Sequence, residues 1–220
     1  MCSTRTARSS PYVYGVPASR ATKIERHYNI APSQPVPAIR ADADGRRIDL
    51  LRWGLIPFWA EDAKIGNSLI NARGETIAEK PAFREAFKRR RCVLPASHFY
   101  EWQKLPGSKV RQPYCVSLAS GELMSFAGLW ETWRNPQGEL VESYSIVTTE
   151  ANDMMARLHD RMPLMLTKDD CNAWLDLRAS REALQALIRP YPADEMRAWR
   201  VSTRVNKPKE DTAELIARVE

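Results

Sequence analysis

The chain has 220 residues, 44% hydrophobic and 27% charged, which fits one folded domain and excludes a disordered or fibrous chain. No apolar run approaches the ~18–20 residues that span a bilayer, and nine glycines make neither G-x-G-x-x-G nor G-x-x-x-x-G-K-[ST], which excludes nucleotide-cradling loops of those kinds. The net charge of +6 is lopsided: residues 1–110 hold 19 Lys/Arg against 10 Asp/Glu, net +9, and residues 111–220 hold 14 against 17, net −3, so a polyanion would meet mainly the first half.

The first 24 residues carry Arg5, Arg8, Arg20 and Lys23 with no acid before Glu25, a composition like that of an organelle transit peptide. Pro11 and Pro17 interrupt any amphipathic helix there, and no apolar core of a secretion signal is present. The expected compartment is the cytoplasm, with nucleoid association if DNA is the target. From there short β-branched and aromatic runs alternate with turn residues and predict strands over 36–41, 48–53, 91–95, 98–103, 113–118, 124–130, 143–148 and 197–203. Helices are predicted over 79–90, 150–158, 167–176, 180–189 and 211–219. Many strands that do not alternate strictly with helices imply an α+β fold around a mostly antiparallel, barrel-like sheet flanked by helices. No linker or repeat divides the chain, so a single domain over 1–220 is expected.

Cys2, Cys92, Cys115 and Cys171 form no C-x-x-C pair, and His27, His98 and His159 fall at no zinc-ligand spacing, so neither a metal nor a cofactor is expected. Cys92 and Cys115 lie in β-type apolar runs and are expected to be inert core thiols. Cys2 follows Met1 and is small enough for the methionine to be removed. Removal leaves an α-amine beside a thiol. With a pKa of ~7.7–8.0, roughly a fifth to a third of that amine is neutral near pH 7.4, against ~0.1% of a lysine. Such an aminothiol condenses with an aldehyde to an imine, which the thiol closes to a thiazolidine. A silent, frayed terminus is the other reading of Cys2.

Four further segments carry chemistry-bearing side chains. Asn71-Ala72-Arg73 follows Ser68-Leu69-Ile70, where a strand is expected to end in a polar turn, and offers an amide and a phosphate-sized guanidinium fork; a turn Asn and a solvated Arg would look the same. In Phe99-Tyr100-Glu101-Trp102 strand alternation puts Phe99, Glu101 and Gln103 on one face. A carboxylate hemmed by aromatics is expected to be desolvated, which raises its pKa and suits it to donate a proton; pairing with an Arg at a sheet edge is the alternative. His159 lies between Leu158 and Asp160-Arg161, where it is either a proton shuttle or a structural loop residue. Arg161 is placed to reach phosphates or solvent. Trp53, Phe58 and Trp59 are dense for a loop-prone segment and would stack on unpaired bases or pack in the core. Lys88-Arg89-Arg90-Arg91 reads as a cationic helix end.

Taken in order, Met1-Cys2, Tyr28-Asn29-Ile30-Ala31-Pro32, Arg52-Trp53-Gly54-Leu55-Ile56-Pro57, Asn71-Ala72-Arg73-Gly74-Glu75-Thr76, Arg91-Cys92-Val93-Leu94-Pro95, Phe99-Tyr100-Glu101-Trp102, Phe126-Ala127-Gly128-Leu129-Trp130, His159-Asp160-Arg161-Met162-Pro163 and Val205-Asn206 resemble the SOS response-associated peptidase (SRAP) family of abasic-site processing proteins. The resemblance implies a single SRAP domain that binds single-stranded DNA and crosslinks itself to an abasic site through Cys2. It further implies that Asn71 positions the linkage, that Glu101 assists acid–base chemistry and that His159 works near the opened sugar. Asn29, Trp53, Phe58, Arg73 and Arg161 are the expected DNA contacts. The expected partner is abasic single-stranded DNA met by a monomer, with replication or repair proteins as further partners left open. Two departures stand out: Ser3-Thr4-Arg5 follows Cys2 where the family typically has Gly-Arg, and Ser97-His98 precedes Phe99 where the family favours Asp-Gly. Two other functions use the same residues. One is an N-terminal-nucleophile peptidase or amidohydrolase, of which self-removal of Met1 is the mildest form; the other is a non-catalytic nucleic-acid-binding module.

Overall fold

The structure, a computed structural model, describes residues 14–108 and 110–220. Among the described residues ten strands carry the fold: β1 Pro35–Asp42, β2 Gly45–Trp53, β3 Asn71–Arg73, β4 Arg91–Ala96, β5 Phe99–Lys104, β6 Arg111–Leu118, β7 Met124–Arg134, β8 Leu140–Glu150, β9 Arg161–Pro163 and β10 Met196–Arg200. The α-helices are α1 Arg84–Arg89, α2 Lys168–Leu175 and α3 Arg181–Ala186. In the large sheet the order β2-β1-β4-β7-β8 closes on itself, because β8 pairs back with β2. The result is a five-stranded barrel, a closure that removes sheet edges. A separate sheet runs β10-β6-β5. The α+β class and the barrel expected from the sequence are what the chain adopts.

The ladders of the barrel are antiparallel except at its seam. There β2 and β8 run parallel over only Arg52–Ser143 and Trp53–Tyr144. Side chains reinforce so short a seam. The buried Arg40 on β1 donates to Asp49 on β2 at 2.8 Å and, bidentately, to Glu142 on β8 at 2.6 and 2.8 Å. Its guanidinium also lies 4.2 Å from the Trp130 ring centroid. A buried cation is tolerable here because two carboxylates and a π-face replace its water.

All eight predicted strands are present, with ends shifted by a few residues. Three of the predicted helices are much reduced. Pro81 disfavours helical backbone at Lys80, so the stretch 79–90 becomes a turn followed by α1. The stretch 150–158 reduces to one 3-10 turn, Met155–Arg157, because β8 continues to Glu150 and Asn152 Oδ1 accepts from Met155 N–H. The stretch 211–219 keeps only the 3-10 turn Ala213–Ile216, since the Asp211 carboxylate is taken up by the backbone amides of Tyr28 and Asn29. By contrast 167–176 forms as α2, held by a reciprocal Thr167–Asp170 capping box. Residues 68–70 are not a strand end: the 3-10 turn Ala63–Ser68 leads into β3, which begins at Asn71 itself.

The basic run 88–91 ends in a side chain that does not reach solvent. Arg91 is 4% exposed, and its guanidinium donates to the carbonyls of Phe87, Lys88, Trp174 and Asp176 at 2.6–2.8 Å. One cation thus satisfies the orphan carbonyls at the ends of α1 and α2. Arg91→Leu should lower unfolding free energy by roughly 2–4 kcal/mol, since it strands buried acceptors at two helix ends. Urea denaturation checks this; a loss below about 1 kcal/mol would mean that water or neighbouring donors replace the guanidinium.

Candidate functional site

The small sheet packs one face on the barrel and the other on the C-terminal segment. Phe99, Val116, Leu118 and Met196 join the barrel-side core. Tyr100, Trp102, Cys115 and Trp199 face Val201, Val205 and Ile216. Along β5 the barrel-side face is buried and apolar at Phe99 and becomes part-exposed and polar at Glu101 and Gln103. Glu101 therefore keeps Phe99 and Gln103 beside it and Tyr114 opposite it in register, while Tyr100 and Trp102 project from the opposite face. The carboxylate is half-buried, and its Oε1 accepts from Trp102 N–H at 3.0 Å.

A cavity of about 480 Å³ opens at this point. Asn71, Glu101 and His159 all line it, as do Asn29, Trp53 and Arg161. The topology explains the convergence. β3 and β9 both pair with the end of β8, where Thr148 has Arg73 as one partner and Pro163 as the other. Asn71 thus arrives from one element and His159, two residues before β9, from another, while the small sheet brings Glu101. Three polar groups far apart in sequence meet around one space. That is the pattern of a mostly apolar pocket with a few convergent polar groups.

Each wall is held by hydrogen bonds. Trp53, 5% exposed, donates its indole N–H to the Ile70 carbonyl at 2.9 Å and so fixes the residue before Asn71. Gly54 adopts φ +113°, and a Cβ there would meet the Gly66 carbonyl oxygen at 2.6 Å; the close approach requires glycine. The side-chain amide of Asn29 donates to the carbonyls of Val205, Lys207 and Glu210, tying the Tyr28–Pro32 loop to the C-terminal segment. Asp211 accepts from Asn29 N–H at 3.0 Å and lies 2.7 Å from His27 Nδ1. Its carboxyl stays below its ordinary pKa: partial burial works against ionisation, but the Tyr28 amide, His27 and the Asn29 amide outweigh it.

The Ser97-His98 departure is built into the same wall. His98, 3% exposed, sits edge-on to Tyr100 at 5.2 Å. Its Nε2 lies 3.3 Å from the Tyr28 carbonyl, which also accepts from Tyr100 Oη at 2.8 Å. Burial pushes the imidazole down to about 4, so it is neutral at neutral pH and Nε2–H is the donor to Tyr28. The histidine therefore braces the cavity wall from behind.

Arg161 is engaged by the protein. Its guanidinium pairs bidentately with Glu75 at 2.8 and 2.9 Å and donates to the Thr148 carbonyl at 2.8 Å. That pairing holds the Glu75 carboxyl below its usual range. His159 Nδ1 accepts from Arg161 N–H at 3.0 Å. Asp160 Oδ1, 2.9 Å from the same Nδ1, becomes its partner when the ring is protonated.

Two expected DNA contacts lie outside the cavity lining. Arg73 is exposed two residues along β3 from Asn71, on the same face by strand alternation. Phe58 is 59% exposed beside the exposed Trp59. Cys2 and the Ser3-Thr4-Arg5 departure lie outside the described residues. Sequence reasoning missed Glu75, Gln103 and Asp211, whose partners are 86, 54 and 182–184 residues away; no local signal announces such pairs. A larger cavity of about 670 Å³ is lined by Tyr14, Ser125, Cys171 and Tyr191 among others. Burial pushes the Cys171 thiol up to about 11 and the fully buried Cys92 up to about 12, so both are protonated and unreactive.

A five-stranded barrel whose rim meets a second sheet at a pocket of Asn, Glu and His defines the class. The family model of the SOS response associated peptidase (SRAP) matches residues 1–208, and the chain belongs to that family. Abasic site processing protein YoaM of Bacillus subtilis is 49% identical over 190 residues, which cover 86% of this chain and 83% of that protein. Abasic site processing protein HMCES of Rattus norvegicus is 32% identical over 229 residues, 86% of this chain and 64% of that protein. A crystal structure of a Bacteroides thetaiotaomicron protein superposes with a TM-score of 0.78 at 28% identity, over 86% of this chain and 82% of that one.

Proposed function

We propose that the protein processes abasic sites in DNA, binding them in single strands and capturing the ring-opened sugar covalently through Cys2 once Met1 has been removed. The observation that carries this reading is the convergence of Asn71, Glu101 and His159 on one cavity, in a chain 49% identical to a protein named for abasic-site processing. The chemistry balances without a cofactor. The α-amine adds to the aldehyde and water leaves, giving an imine. The thiol then adds to the C=N carbon and its proton passes to nitrogen, closing a thiazolidine. Glu101 donates the proton that lets hydroxide depart as water, and His159 moves protons at the opened sugar. Asn71 positions the linkage by hydrogen bonding.

Outside the cavity Phe58 offers a face for base stacking and Arg73 a phosphate contact, while Trp53, Asn29 and Arg161 shape the pocket's wall. Single-stranded DNA suits such a pocket because its sugars are reached without unpairing a duplex.

Incubation with an oligonucleotide carrying one abasic site, followed by denaturing electrophoresis and intact mass, tests the reading. The expected product is protein lacking Met1 plus DNA minus one water, stable to heat. Unmodified protein after prolonged incubation would sink it. Arg73→Ala should weaken binding to single-stranded DNA and reduce the slope of log affinity against log salt by roughly 0.7, the value for one phosphate contact on a single strand. Fluorescence anisotropy over a salt series measures this; an unchanged slope removes Arg73 from the interface.

A further inference from the structure

His159 and Glu101 reach the cavity on different parts of the molecule. His159 lies on the turn between β8 and β9, anchored by Ala151 N–H to the Asp160 carbonyl at 3.1 Å. Glu101 lies on the small sheet. A hydrogen bond joins the two: Gln103 Nε2 donates to the Arg157 carbonyl at 2.8 Å, two residues before His159. Gln103 shares its strand face with Glu101, one pleat further on.

The amide of Gln103 is itself oriented. Its Oε1 accepts from Tyr114 Oη–H at 3.1 Å, and Tyr114 Oη in turn accepts from Arg200 Nε–H at 3.2 Å. Arg200, Tyr114 and Glu101 stand opposite one another in register across β10, β6 and β5. Every donor in the chain points the same way, from Arg200 to Tyr114 to Gln103 to the Arg157 carbonyl. Flipping the amide would set Oε1 against that carbonyl, acceptor against acceptor. The three-stranded sheet thus fixes both the carboxylate and the strut that holds the histidine turn.

We propose that Gln103 is a positioning residue that sets His159 at its working distance from Glu101. This rests on the reading of those two residues as the proton-transfer pair. The Gln103–Arg157 bond is solvent-exposed, so its loss costs little global stability, because water replaces the lost partner. Proton transfer is far less forgiving of displacement: a shift of about 1 Å costs on the order of 10²-fold in rate.

The test uses the full chain and four forms: parent, Gln103→Leu, Gln103→Lys and Tyr114→Phe. Gln103→Leu should lower the crosslinking rate at saturating abasic single-stranded DNA by about 10- to 100-fold. The half-saturating DNA concentration should change little. Gln103→Lys retains a donor for the Arg157 carbonyl and should recover most of the rate, and Tyr114→Phe should lose less than Gln103→Leu. Independently of chemistry, amide exchange over residues 155–161 should quicken in Gln103→Leu and stay near parental in Gln103→Lys. Unchanged exchange, an unchanged rate, or a lysine variant no better than leucine would overturn the proposal. A parent that forms no adduct would instead refute the crosslinking reaction, and with it any role in that reaction. The exchange measurement would still report whether Gln103 anchors the turn.

Discussion

Replacing Cys2 with alanine should abolish the heat-stable adduct with abasic DNA while leaving affinity for intact single-stranded DNA within about twofold, because affinity rests on dispersed phosphate and stacking contacts. The reason lies in which bond gives the adduct its permanence. An α-amine remains in the variant and still condenses with the aldehyde, but nothing closes the ring. The imine then partitions between hydrolysis and β-elimination. Borohydride should therefore trap the alanine variant as a reduced amine, and strand cleavage should exceed that of the parent. Cys2→Ser keeps the amine and supplies a hydroxyl in place of the thiol, so its imine should also be trappable and its cleavage should again exceed the parent's. Denaturing gels with and without borohydride separate these species. A heat-stable adduct from the alanine variant, formed without reductant, would place the nucleophile at another residue.

Most strands were legible because runs of β-branched and aromatic residues are bounded by turn residues; β7, for instance, runs from Met124 to Arg134, is buried without a break from Met124 to Leu129, and covers the predicted stretch 124–130. The three-residue strands β3 and β9 were not, since neither is long enough to show a period and both exist only because β8 supplies a ladder. The helix predicted over 211–219 was over-read because its first residue has a better long-range use than capping: Asp211 is spent on the Tyr28–Asn29 backbone.

The site divides in the same way. Local reasoning separated Phe99, Glu101 and Gln103 from Tyr100 and Trp102, and the small sheet keeps that division. It did not show that Tyr100, buried, and Trp102, partly buried, would pack against Val201, Val205 and Ile216. Nor did it foresee that Arg161 would pair with Glu75. Identity of side chains was readable from motif order; the partners that occupy them were set by crossovers the sequence does not announce.

Substituting glutamine for Glu101 should slow crosslinking by a factor on the order of 10²–10⁴, the usual range for a lost acid–base group. Placement supports a chemical role over a structural one. The carboxylate is half-buried on the cavity wall, with Oε1 turned toward Trp102 N–H, and glutamine can keep that bond through its carbonyl. The fold and the strand register should therefore survive, and binding to single-stranded DNA without an abasic site should hardly change. The α-amine adds to the aldehyde only as the neutral species, which becomes scarce as pH falls below ~7.7–8.0, so with chemistry limiting both forms should slow as pH falls. If Glu101 gives up a proton in the limiting step, the two profiles should differ in shape as well as in height, because glutamine has no proton to give. Single-turnover rates from pH 5 to 9 for both forms distinguish the roles. Parallel profiles of similar height would leave Glu101 a wall residue, and His159 would then be the leading candidate for the acid.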